Sequence, residues 1–335
     1  LKDLNADIRR TKVKTLNFRY LKYLALTATS WALTTSDDIL VGGQAVMEGV
    51  MMRSPKGYSV AVRRPDGSFG IIKDVLQTAG EKYRIFKLPI LRGIGVLGQA
   101  MVLGIKALRY SAEEALAEEK AETAAKDPAS TKPSPVSSWV IASTMVFALG
   151  VNIVVFFVLP LFLTRYLQTN LGFQSSLLFS SIDGVFRVGM FVSFLILISR
   201  MSDMNRVFQY HGAEHKTVFN FEARESLGVE NARKYSTFHP RCGTSFLMLV
   251  MVVSIIVFSL VHFDSITAKL LSRIALLPLI LGISYEVLRY SAKHPGSLMR
   301  WITFPGLLLQ RITTKEPDDK QLETAIKALE EALTV

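Results

Sequence analysis

Two uncharged apolar runs dominate the pattern of the chain. Val140–Leu163 lies within a stretch that carries no charge between Lys132 and Arg165, and Thr244–Phe263 is the second. A helix rises about 1.5 Å per residue and the hydrocarbon core of a bilayer is about 30 Å thick, so either run is long enough to cross. Gly184–Ser199 and Leu270–Val287 are weaker apolar runs, with Arg187 and Arg273 near one end. A long arginine stem can carry such a charge out to the interface. The pattern predicts four membrane-spanning helices. Ahead of them the period changes. Tyr58–Val62 and Phe69–Ile72 alternate around Pro65-Asp66-Gly67. Pro presets φ and Gly accepts positive φ, which predicts a β-hairpin.

Pro89 opens a glycine-rich apolar stretch to Lys106. Its Gly93-Ile94-Gly95-Val96-Leu97-Gly98 fits G-x-G-x-x-G, but no strand precedes it and no βαβ unit follows, so a dinucleotide site is rejected. Close helix packing is expected instead, in a re-entrant or interfacial helix. Glu113–Lys126 reads as a charged helix, and Asp127–Pro135, with three prolines, as a linker. The pentapeptide Leu-Arg-Tyr-Ser-Ala at 108–112 recurs at 288–292, each copy ending an apolar helix. The expected organisation is a basic tail or interfacial helix over 1–35, an N-terminal cytosolic element over 36–126, and a linker over 127–137. A transmembrane domain with a loop rich in His, Glu and Cys follows over 138–300, then an amphipathic tail over 301–335. The fold class is an α-helical multi-pass membrane protein with a small element containing a β-hairpin.

Charge sets the orientation. Lys and Arg number 39 against 28 Asp and Glu, a net charge of +11. Such a balance suits nucleic acid or an anionic membrane surface. No arginine stripe with interleaved aromatics speaks for nucleic acid, so the expected partner is the lipid bilayer. Basic residues are dense before Ser138, between Arg200 and Arg241, and after Val287, and sparse in Thr164–Ile182 and Asp264–Ser272. The positive-inside rule therefore places both termini and the 200–243 loop in the cytosol, or in the stroma or matrix of an organelle.

That topology gathers the chemistry on one side. His211, His215 and His239 lie in the 200–243 loop with Cys242, the sole cysteine, which excludes an intrachain disulfide. His294 and Glu286 lie at the cytosolic end of the last span. In His211-Gly212-Ala213-Glu214-His215 the two histidines share a helix face at i and i+4, a spacing that grips one metal ion. Glu214 is placed to act as general base. His-x-x-Glu-His is the arrangement of the inverted zinc peptidases, which add a distant glutamate ligand, and Glu286 is the candidate here. Gly212 weakens the helix on which this geometry depends. His239 and Cys242, three apart, suit the same ion, or Cys242 serves as a thiol nucleophile with His239 as base. The bland alternatives are surface histidines and a cysteine in a tight turn, with Thr244 and Ser245 capping the next helix. For Glu286 the bland partner is Arg289, one turn on.

Three segments carry a resemblance. Gly42-Gly43-Gln44-Ala45-Val46-Met47-Glu48-Gly49-Val50-Met51-Met52-Arg53-Ser54-Pro55, Tyr210–Lys216 and His239–Phe246 resemble, in order, the signatures of the YqhQ-like bacterial family of uncharacterised membrane proteins, domain-of-unknown-function family 1385. The resemblance runs from about Val41 to the region of Glu316-Pro317. It implies a metal-dependent enzyme without a known substrate, and it adds Glu48 as a further ligand or acid/base group.

The expectation is thus a metal-dependent hydrolase at the membrane–cytosol interface. His211, His215, His239, Cys242 and Glu286 supply ligands for a divalent ion such as zinc, Glu214 is catalytic, and Glu48 and His294 are additional. The substrate is a membrane protein or a lipid. A non-catalytic assembly or scaffold factor with a structural site is the alternative, and a transporter the weaker one.

Overall fold

The computed structural model describes residues 41–126, 138–261, 263, 265–294 and 296–335. The basic segment 1–35, the linker 127–137 and His262 lie outside the described residues.

The predicted hairpin forms and is half of a larger sheet. Strands β1 (Gly42–Val46), β2 (Gly49–Arg53), β3 (Gly57–Arg63) and β4 (Phe69–Val75) pair antiparallel in the order β1-β2-β3-β4. Val60 opposes Ile72 across the hairpin. In its turn the Gly67 N–H donates to the Arg64 carbonyl, with Gly67 at φ 85°. The sheet is covered on both faces. Val50, Met52 and Ala61 face one apolar cluster, and Met51, Tyr58, Val60 and Val62 the other. A strand buried on both sides reads as a continuous apolar run, which hides its period.

Eleven α-helical segments are seen among the described residues. They are α1 (Ala79–Lys82), α2 (Leu91–Lys126), α3 (Ser138–Ile153), α4 (Leu159–Leu171), α5 (Ser176–Ile198), α6 (Ser202–Glu222), α7 (Val229–Arg233), α8 (Gly243–Leu260), α9 (Ile266–Lys293), α10 (Ser297–Thr313) and α11 (Asp319–Leu333). A π-helical turn, Val154–Val158, joins α3 to α4. Pro160 has no N–H to offer the Phe156 carbonyl, a local cause for the altered ladder.

Helix α11 covers one sheet face with Leu322, Ala325, Ile326 and Leu329, beside Tyr210 and Ala213 of α6. Its small alanines let the chains approach closely: Ser54 and Ser59 hydroxyls donate to the Ala332 and Ala328 carbonyls. Leu103 and Ala107 of α2 cover the other face.

Five helical stretches are long and apolar enough to cross a membrane: Leu91–Ala117, Val146–Leu171, Ser176–Ile198, Gly243–Leu260 and Ile266–Ser291. Four overlap the runs read from the sequence. The fifth is the glycine-rich stretch, expected as a re-entrant or interfacial helix. Its apolar windows, like the others, are mostly uncovered by protein. Side chains such as Phe147, Val185, Ile256 and Leu271 stand exposed, as lipid-facing positions do. The chain is a helical, membrane-associated protein. Within it, Arg187 and Arg273 turn to a common protein partner. Both are buried on Asp183: Arg187 Nη2 lies 3.1 Å from Oδ2, and Arg273 reaches Oδ1 at 3.1 Å and Oδ2 at 2.9 Å. A carboxylate one turn from Arg187 offsets the cost of burying the charge.

Candidate metal centre

Helix α6 carries His211 and His215 one turn apart, and their ring centroids lie 4.4 Å from each other. Each ring is pinned from behind. His211 Nδ1 is 2.8 Å from the Thr313 carbonyl, and His215 Nδ1 bonds the Thr237 carbonyl. A carbonyl only accepts, so both Nδ1 atoms carry a proton, and in a neutral ring so held it is Nε2 that presents the lone pair. His211 Nε2 lies 3.2 Å from Cys242 Sγ. His215 Nε2 is buried and has no hydrogen-bond partner among the described residues. Ligand atoms of His211, His215 and Cys242 all lie within 4.8 Å of one another. This His/His/Cys cluster can chelate a metal ion. Backbone carbonyls behind both imidazoles are the usual means of orienting such ligands.

Gly212 does not break α6; it makes the geometry possible. A Cβ there would run into the Lys315 carbonyl oxygen, and the Lys315 N–H bonds the Phe208 carbonyl at 2.9 Å. The missing side chain lets the segment after α10 lie against the helix, which brings the Thr313 carbonyl to His211. Cys242 is set by its own turn. Its N–H bonds the His239 carbonyl at 3.3 Å, and it, not Thr244 or Ser245, is the N-cap of α8, the sulfur accepting from the Thr244 N–H at 3.4 Å. A capping atom at a helix N-terminus sits where negative charge is favoured.

Glu214 is buried beside the cluster, with Oε2 3.5 Å from His215 Nε2. Burial pushes its carboxyl above the usual range, while His211, His239 and the Gly43 N–H pull it back. Burial likewise pushes His215 down, and His239 down to about 4. Neutral imidazole is the form that ligates. Strand β1 forms a wall: a Cβ on Gly43 would stand 2.9 Å from Glu214 Cγ.

A profile of the family described as "Protein of unknown function (DUF1385)" matches residues 88–335. The chain belongs to the DUF1385 family. "Uncharacterized protein YqhQ" of Bacillus subtilis (strain 168) is 35% identical over 297 residues, covering 87% of this chain and 92% of its own length. No solved structure matches the chain. The DUF1385 match takes in α11, past Glu316-Pro317 where the resemblance was expected to end, and begins after the Gly42–Pro55 signature.

The other residues singled out in this DUF1385 chain have partners elsewhere. The ring centroid of His239 lies 5.6 Å from that of His215, and its Nδ1 accepts from the Arg241 N–H at 3.3 Å; its Nε2, 3.6 Å from Glu222, is buried and, like that of His215, has no hydrogen-bond partner among the described residues. Glu222 also pairs with Arg241. Glu286 is held by Arg92, with Nε 2.6 Å from Oε1, and by the Ile90 N–H, so its ion-pair partner lies on α2 and is not Arg289 one turn on. Glu48, at φ 51° in the β1–β2 turn, pairs with Arg206 and is 3.3 Å from the Tyr210 hydroxyl. His294 is exposed and stacks on Tyr290, 4.2 Å between centroids. Sequence reasoning missed Gln310, whose amide clamps the His239 peptide: it accepts from the N–H and donates to the carbonyl, each at 2.8 Å. It also missed the carbonyls of Thr237 and Thr313, which no side-chain pattern announces. A glutamine directly after the apolar run Leu307-Leu308-Leu309 was the one available signal.

Proposed function

We propose that this protein is a metal-dependent membrane enzyme, a hydrolase working where the membrane meets the cytosol. His211, His215 and Cys242 are its metal ligands. The observation that carries this reading is His215 Nε2, buried without a hydrogen-bond partner among the described residues and grouped with His211 and Cys242. Two imidazole nitrogens and one sulfur suit zinc or a similar borderline ion, and three protein ligands leave a position open. When bound, such an ion polarises a substrate oxygen and eases loss of a proton from water. Glu214 holds that proton at a carboxylate fixed by the Gly43 N–H. The Thr237 and Thr313 carbonyls keep both rings in the ligating tautomer. Cys242 caps α8, a candidate span, so the centre sits at a membrane boundary. The basic loops around it favour the cytosolic side for that boundary. The substrate class is then a membrane protein or a lipid.

A second reading is a closed structural site with Glu214 as fourth ligand, tying α6 to α8. The near-complete burial of His215 and Glu214, 1% and 6% exposed, favours it. Glu214→Gln separates the two. Purified protein is loaded with zinc and assayed on fluorogenic ester, phosphoester and peptide panels. A variant that keeps its metal but loses at least about a hundredfold in rate, the usual scale of a general base, supports the enzyme. A variant that loses the metal supports the closed site. Wild-type protein that is metal-loaded and inert on every panel overturns the hydrolase reading.

A further inference from the structure

The opposite end of the bundle holds a second polar site, unrelated in residues to the first. A cavity of about 340 Å³ is lined there by Arg165, Gln168, Ser176, Ser180, Lys269 and Arg273, among others. Three of its lining residues are cations, and no Asp or Glu lines it among the described residues. It draws on the end of α4, the start of α5, the end of α8 and the start of α9. Cys242 stands at the other end of α8, and 18 residues at about 1.5 Å each separate the two sites by roughly 27 Å.

Charge beneath the cavity is not balanced. Asp183 serves both Arg187 and Arg273, so the three carry one net positive charge, all of them buried. Arg187 Nε is buried with no hydrogen-bond partner among the described residues. The aromatic faces help but do not neutralise: the Arg187 and Arg273 guanidinium carbons lie 5.4 and 5.3 Å from the Phe258 ring centroid. A net cation among membrane-spanning helices is costly unless it serves a ligand. The sequence adds an independent observation. Thr164–Ile182 and Asp264–Ser272 are the two segments poorest in basic residues, and each holds one, Arg165 and Lys269. Both line this cavity.

We propose that the cavity binds a phosphoryl anion, either the headgroup of an anionic phospholipid or free phosphate. Arginine forks and hydroxyls match the several oxygens of a tetrahedral anion better than they match a halide. The start of α5, at Ser176, adds the favourable end of a 23-residue helix dipole. Phe179, Phe258 and Phe263 flank the polar groups, as the glycerol and first methylenes of a lipid would require.

The test uses full-length protein. Inorganic phosphate is titrated into detergent-solubilised protein by calorimetry, and native mass spectrometry scores retention of phosphatidylglycerol against phosphatidylcholine from mixed nanodiscs. Variants are Arg165→Gln, at an exposed position; the double change Arg165→Gln with Lys269→Gln; and Lys320→Gln, exposed on α11, as control. Binding is expected to weaken at least tenfold in the double variant, less in Arg165→Gln, and not at all in the control. Phosphate binding that competes with the lipid identifies free phosphate as a ligand, and selective lipid retention alone identifies the headgroup. Wild-type protein that binds phosphate not at all and shows no preference for phosphatidylglycerol overturns the proposal. So does wild-type affinity in Arg165→Gln and the double variant alike.

Discussion

Helix α8 runs between two buried polar clusters that solve opposite problems. At its start, Cys242 meets two imidazoles whose outer nitrogens are satisfied and whose inner nitrogens converge. Near its end, Phe258 lies under two arginines that share one carboxylate. The first cluster gathers potential ligand atoms within 4.8 Å of one another, and the second carries one positive charge more than its carboxylate balances. The contrast teaches that burial alone says little about a polar group. What it lacks, an electron-pair acceptor or an anion, tells which ligand it suits.

The largest effect is expected in the second cluster: Asp183→Asn leaves two buried guanidinium groups without their carboxylate and should cost about 3–5 kcal/mol. Thermal unfolding in detergent reads this as a large fall in midpoint or failure to accumulate. A wild-type midpoint would break the contrast, because the arginines would then not depend on Asp183. At the first cluster, Gly212→Ala pushes the Lys315 main chain off α6 and should cost up to about 3 kcal/mol, with loss of bound metal. Retention of metal at wild-type affinity would show that the Thr313 carbonyl is dispensable.

Buried His239 gives a pH signature in chelator-treated protein. His239 falls to about 4 in the fold, against about 6.5 when unfolded. Between those values the unfolded chain binds a proton that the folded chain does not. Stability is therefore complete above about 6.5 and falls as pH drops toward 4, by up to about 1.4 kcal/mol per pH unit. His239→Asn should flatten the slope, and an unchanged slope would assign it to other groups. Smallest is Glu286→Gln. Its pair with Arg92 is partly exposed, so about 1 kcal/mol or less is expected, with metal content unchanged. Loss of metal there would bring Glu286 back as a ligand.

Much of this was legible in short-range pattern. The uncharged runs announced spans, Pro65-Asp66-Gly67 announced its hairpin, and the i, i+4 spacing put His211 and His215 on one face. What escaped is long-range. Glu286 sits at the end of an apolar helix and its partner, Arg92, is 194 residues away. The alanines of α11 read as a tail until Ser54 and Ser59 meet its carbonyls. Gly212 looks like a weak point in a helix when only the helix is considered, and becomes a contact surface once Lys315 is placed against it. Arg187 and Arg273 read as separate interface anchors because Asp183, their shared partner, is one turn from the first and 90 residues from the second.

Metal content tests the central claim most directly. Chain purified in detergent, equilibrated with zinc and dialysed, should retain about one ion per molecule by mass spectrometry of the elements, the expectation for a three-ligand site. His215→Ala and Cys242→Ser should each retain under about a tenth of that while keeping wild-type helical content. Wild-type protein that holds no ion, or either folded variant that keeps a full equivalent, would contradict the account.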